Sequence, residues 1–266
     1  MKQVKLLSIS AAILLAIGTV SAYAADNDAD VDQAGNHNTA SVSQMGADNS
    51  QRTYQTGNNN RSQAYQQGVN NESRIRQSGN DNSTYSYQSG TDNSAELVQR
   101  GNHNSISAMQ DGVGNSQTMV QSGNRNSAAS RQSGVDNSLS AYQNGNRNRL
   151  QANQSGVDNS ARVNQSGDSN NARLDQNGVA NDIVMTQSGH NNTATTTQLG
   201  DGNQANTHQS GNFNQAAVSQ YGIDNLAITR QAGNHNTSAI TQHGMNDSAA
   251  VTQHGNHNAA TISQGR

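Results

Sequence analysis

The stretch Asn38–Asn60, "NTASVSQMGADNSQRTYQTGNNN", uses one frame twice: Asn38, Gln44 and Gly46 return as Asn49, Gln55 and Gly57, each eleven residues later. Extended outward, the frame occupies the chain from Asn27 to the C-terminus as 22 consecutive units without an insertion or deletion. Gln fills the seventh position of every unit. Gly fills the ninth in 21 of 22, Arg266 standing there in the last unit. Asn fills the first in 21 of 22, Asp247 being the lone departure. Repeats of this kind decide the architecture before any local signal is weighed.

Alternation inside the unit assigns its faces. In an extended strand, positions one, three, five and seven turn to one side. Position three is Ala in 12 units and position five is apolar in 16, as at Val42, Ile75, Leu97, Val163 and Ile262. The opposite face carries Arg, Asp, Ser, Tyr and Thr. The spacing therefore predicts a seven-residue strand with a narrow inner face, followed by a four-residue turn. Gly35, Gly46, Gly57, Gly244 and Gly255 are assigned to turns, where a positive φ is needed.

One such unit buries nothing alone. Two facing units make a 22-residue coil, and stacked coils bring every Asn and Gln onto a copy of itself. The predicted fold is all-β: a cross-β β-solenoid of 11 two-strand coils. Buried amides without partners would be costly, whereas stacked identical amides bond along their columns. Asn38, Gln44, Asn49 and Gln55 near one end, and Asn236, Gln242, Gln253, Asn258 and Gln264 near the other, are the candidate residues for stacking and self-assembly. Residues 22 apart should touch on the outer face too. There Asp30, Arg52, Arg74 and Glu96 form one column, Tyr65 lies over Tyr87, and Tyr54 over Arg76 as a cation–π pair.

Composition alone points to disorder. Hydrophobic residues make up 30% and aromatic residues 3%, with a mean hydropathy of −0.91. The chain has no Pro and only 12% charged residues, and its fixed phase opposes that reading. Residues 1–24 read as a secretory signal peptide: Lys2 and Lys5, an apolar run over residues 6–20, and Ala22-Tyr23-Ala24 as the cleavage site. Residues 25–266 form the repeat domain, with no membrane span. Without Lys2 and Lys5, 13 Arg face 18 acidic residues, a balance that argues against nucleic acid. There is no Cys for a disulfide, thiol nucleophile or thiolate metal site.

His37, His103, His235 and His257 all occupy position eleven of one edge, where solvated surface residues are expected rather than a metal site. The turn acids Asp48, Asp81, Asp92, Asp136, Asp158 and Asp224 lack the double glycine of nine-residue calcium-binding repeats and read as gatekeepers against uncontrolled pairing. With only Glu72 and Glu96 as glutamates and no inserted loop, neither a catalytic site nor a cofactor is expected. An ice-binding array would need more than the isolated Thr195 and Thr197.

The stretch Gln33-Ala-Gly35-Asn-His-Asn38-Thr-Ala40-Ser-Val-Ser-Gln44 resembles the curlin pattern Q-x-G-x-x-N-x-A-x3-Q, as do Gln154–Gln165 and Gln220–Gln231. The resemblance runs over residues 27–266. It implies a secreted subunit that polymerises with itself into curli, the functional amyloid fibres of biofilm matrix and adhesion. It also implies export through an outer-membrane secretion pore and nucleation by a minor subunit. A minor nucleator, or a monomeric solenoid adhesin, is the alternative. Two features depart from the family pattern. Asn replaces the usual Ser/Asn alternation at the first position, and Ala25-Asp26 leads directly into the repeats where a pore-targeting segment is usual. With no visible capping repeat, polymerisation end to end is the expectation.

Overall fold

The structure, a computed structural model, describes residues 12–15 and 26–265. The signal-peptide reading of residues 1–24 lies outside the described residues, apart from a short strand, Ala12–Leu15. The chain divides into two compact units, residues 1–135 and 136–266, and each repeats the same construction. The first holds ten repeat strands, from Asp28–Asn36 to Ser127–Val135. The second holds twelve, from Ser138–Asn146 to Ala259–Gly265. These make five and six solenoid turns, eleven in all, with no helix among the described residues.

Strands 22 residues apart pair in parallel and in register. Asp28–Asn36 lies beside Ser50–Asn58 with Gln33 opposite Gln55 and Gly35 opposite Gly57. Ser160–Asp168 lies beside Asp182–His190 in the same manner. Consecutive strands fall in different sheets, so each turn contributes one strand to each of two facing parallel sheets. Ala12–Leu15 adds a further parallel strand along Thr39–Val42.

Positions one, three, five and seven point inward, as the alternation predicts. Ile75, Leu97, Ile106 and Met119 are fully buried in the first unit, and Leu150, Leu174, Ile183, Met185 and Ile240 in the second. Between Gln51 and Ser86 the core is more polar, because Ser or Thr replaces the apolar residue at several inward positions. There Ser73 and Ser86 share a hydrogen bond of 3.0 Å, and Thr84 donates to Gln99 Oε1 at 2.8 Å. Elsewhere the Oγ1 atoms of Thr196, Thr207 and Thr229 are buried without a partner.

The strands are longer and the turns tighter than the sequence predicts. Nearly all repeat strands span nine residues, from position two to position ten, and include the glycine assigned to the turn. The bend is left to positions eleven and one. Position eleven takes the left-handed conformation, with φ of 56° at His37 and Asp48, 57° at Arg125 and 56° at Phe213. Gly occurs there only at Gly114 and Gly202 among the bends described. Asn, Asp and His tolerate this region best, and they fill most of these positions.

The ninth-position glycine answers a second demand. Gly189 has φ +111°, and a Cβ there would lie 2.0 Å from the carbonyl oxygen of Gly211 in the next turn. A side chain would force neighbouring turns apart. Replacing Gly189 with Ala is therefore expected to cost on the order of 3 kcal/mol, combining backbone strain with a steric clash. Changing its exposed neighbour Ser188 to Ala should stay within about 0.5 kcal/mol. Urea unfolding of the two variants checks this.

Candidate assembly interface

The inward amides are the chemically distinctive groups of this fold. Gln at position seven ends the inward row just before the glycine, and its side chain does two things. Its Nε2 donates to the Oε1 of the Gln one turn later: Gln44 to Gln66 at 2.8 Å, Gln66 to Gln88 at 2.8 Å, and Gln165 to Gln187 at 2.9 Å. The same Nε2 donates to a backbone carbonyl of the facing strand, as from Gln44 to Asp28 at 3.0 Å and from Gln187 to Asn171 at 3.0 Å. Each Gln thus links neighbouring turns and ties the two sheets together at their corner.

Asn at position one runs the other way. Asn60 Nδ2 and the Asn60 backbone N–H both donate to Asn38 Oδ1, at 3.1 and 3.0 Å, one turn earlier. Asn60 Nδ2 also donates to the Gly79 carbonyl at 2.8 Å. The pattern recurs at Asn236, which donates to Asn214 Oδ1 at 3.1 Å from both nitrogens and to Gly255 O at 2.8 Å. Along these inward columns, Gln-to-Gln donors point toward the C-terminus and first-position Asn-to-Asn donors toward the N-terminus. The two ends of a ladder are chemically different.

Of the sequence-selected residues, Asn38, Asn49, Gln55, Asn236, Gln242 and Gln253 are buried, with Asn236 and Gln242 at 0% exposure. Gln44 and Gln264 are half-buried and Asn258 is exposed, because these lie in the outermost turns. Gln264 accepts from Gln242 Nε2 at 3.0 Å, and Asn258 Nδ2 donates to Asn236 Oδ1 at 3.0 Å. Gly35, Gly46, Gly57, Gly244 and Gly255 all have positive φ, and the first three face glycine backbone in the next turn.

A third ladder was not anticipated. Asn36 Nδ2 donates to Asn58 Oδ1 at 3.1 Å, Asn58 to Asn80 at 2.9 Å and Asn80 to Asn102 at 3.0 Å, all at position ten on one edge. The opposite edge carries Val69 and Val113 there, 45% and 46% exposed. The signal was present in the sequence as a 22-residue period at position ten, which an eleven-residue frame averages away.

The outer columns are only partly as expected. Arg76 sits over the Tyr54 ring at 5.9 Å. Arg74 meets Glu72 at 3.8 Å rather than Glu96. Tyr65 is in register with Tyr87, but its ring contact is with Tyr85, diagonally placed at 5.9 Å. Burial, and then the neighbouring Tyr65 and Tyr87 hydroxyls, raise the Tyr85 phenol above its ordinary range. His235 and His257 stack at 4.9 Å, and Phe213 stacks on His235 at 4.9 Å. His103 and His190 instead approach Asp81 and Asp168 at 3.9 and 3.4 Å. The described residues hold no group of three or more His, Asp or Glu placed to bind a metal ion.

Asp247 occupies an asparagine site. Its N–H donates to Asn225 Oδ1 at 3.0 Å, but where Asn would present Nδ2 it presents Oδ2, buried and without a hydrogen-bond partner among the described residues. Asp247→Asn restores the missing donor and is expected to stabilise the last turns by about 1 kcal/mol, read as slower amide exchange over Ser248–Asn256. Gln187→Leu acts in the opposite sense. It removes the acceptor of Gln165 and the donor to Gln209 and Asn171, at about 1–3 kcal/mol for each buried group left unpaired. Denaturant unfolding would measure that loss.

No curated protein matches the chain. A family model for the curlin associated repeat does, at residues 24–51, 90–123, 145–178, 156–189, 189–222 and 200–233. These matches cover more than half of the chain, and the matched segments carry the Gln, Gly and Asn columns described above. The chain belongs to the curlin-repeat family, and its repeats and β-solenoid fold fit a curli-type structural subunit.

Proposed function

We propose that this protein is a secreted structural subunit that assembles end to end with copies of itself into extracellular, curli-type amyloid fibres serving biofilm matrix and adhesion. The observation that carries the reading is the self-templating ladder. The strand edges and the first- and seventh-position amides are bonded to equivalent groups 22 residues away, and nothing in that bonding distinguishes a turn of the same chain from a turn of another. An assembly that continues the ladder is head to tail and does not close, the condition for a fibre. The outer turn is prepared for such an addition: Ala260, Ile262 and Gln264 are only half-covered, whereas the equivalent Ser238, Ile240 and Gln242 one turn inside are buried. Export through an outer-membrane pore and templating by a nucleating subunit complete the proposed role.

Incubated purified protein is expected to form thioflavin-positive fibres with a cross-β reflection at about 4.7–4.8 Å. A persistent monomer at every practical concentration would exclude the assembly role. Ala12–Leu15 occupies the Thr39–Val42 edge, which an incoming copy must use. A chain that keeps residues 1–24 should therefore show a longer lag before fibre growth than one beginning at Ala25, measured by thioflavin fluorescence.

A further inference from the structure

We propose that Asp247 and His257 of one copy form a register-setting docking surface for Asn27 and His37 of a second copy. This inference rests on the assembly reading above and specifies which residues meet. Its first support is the first-position amide column of the second unit. Within it, each Asn Oδ1 accepts both the backbone N–H and the Nδ2–H of the residue one turn later: Asn137 from Asn159, Asn159 from Asn181, and Asn203 from Asn225. Asp247 is the last residue of the column, and no described residue supplies that pair of donors to its carboxylate.

Asn27 has the complementary chemistry. Its Oδ1 accepts from the Asn49 N–H and Nδ2, both at 3.0 Å, and its Nδ2 donates to Gly46 O at 2.9 Å. Among the described residues, its backbone N–H and second Nδ2 hydrogen have no acceptor. A second copy placed one turn beyond Ser248–Asn256 brings those two donors to the Asp247 carboxylate. Bonds to an ionised acceptor are roughly twice as strong as neutral ones, so the single Asp in the column strengthens a junction where it weakens an isolated end.

The second support is independent. Phe213, His235 and His257 form a stack with interplanar angles of 2° and 3°, beside the Asn212, Asn234 and Asn256 ladder. The same Asn-His-Asn triplet stands at Asn36–Asn38 and Asn256–Asn258, with His37 and His257 at φ 56° and 58°. In the docked register His37 continues the ring stack and Asn36 accepts from Asn256. A slip by one turn would set Asn59 over His257 and lose the stack.

The chain has no cysteine, so a double variant, H37C with H257C, carries the only two thiols. Register partners on adjacent parallel strands lie about 4.8 Å apart, within disulfide reach. Mild oxidation of its fibres is expected to give covalent ladders of three or more copies on a non-reducing gel, while H37C alone and H257C alone remain monomeric. Fibres of the double variant without cross-links, or dimers from either single variant, overturn the register. If the thiols themselves block assembly, Asp247→Ala decides: seeded elongation is expected to slow about tenfold, as loss of one charge-assisted bond predicts, whereas D247N keeps a neutral acceptor and elongates faster than D247A but more slowly than the parent. Unchanged elongation of D247A overturns the proposal. A parent protein that forms no fibres overturns the assembly reading itself, and this inference with it.

Discussion

The first- and seventh-position amides of this protein depend on copies of themselves 22 residues away. A lone Gln or Asn between two sheets would carry unmet donors and acceptors worth about 1–3 kcal/mol each. In a column each side chain is donor to one neighbour and acceptor from the other. The requirement applies to all turns at once, which is why the frame admits no inserted residue: one extra position would turn the inward row outward and strand two ladders.

That dependence also explains how a chain with 30% hydrophobic residues builds a core. The apolar inner row is only two residues wide, often an Ala followed by Val, Ile, Leu or Met, and it is closed on both flanks by polar columns. Gln at one flank ties the facing strand through its backbone carbonyl, and Asn at the other holds the carbonyl of the glycine one strand-pair away. Stability is therefore shared between packing and a hydrogen-bond lattice. The Ser- and Thr-rich section between Gln51 and Ser86 is tolerated because hydroxyls such as Thr84 join that lattice.

The glycine column is the backbone counterpart of the amide columns. Parallel turns approach so closely at position nine that a Cβ would lie about 2 Å from the next carbonyl oxygen. The edges beyond it are free to differ. One carries a polar Asn ladder with stacked rings near Phe213 to His257, the other exposed valines such as Val69 and Val113. The two ends of the inward ladders differ as well, since the position-seven Gln donors and the position-one Asn donors run in opposite directions.

The sequence by itself determined the repeat length, the parallel stacking at 22 residues, the inward rows and the residues that form the inward Gln and Asn ladders, but not the edge ladder at position ten. It could do so because side-chain alternation and the intolerance of buried amides to mismatch leave a periodic trace. The tertiary structure decided what depends on the path of the backbone between strands. The strand runs through the glycine, so the left-handed bend falls on His37, Asp48 and their equivalents, a conformation with no invariant residue type to announce it. It decided the opposite polarity of the Gln and Asn ladders, which depends on side-chain direction rather than spacing. It also gave Arg74 to Glu72 and Tyr65 to Tyr85, because long outward side chains are free to lean diagonally, whereas inward ones are held in file by the neighbours above and below.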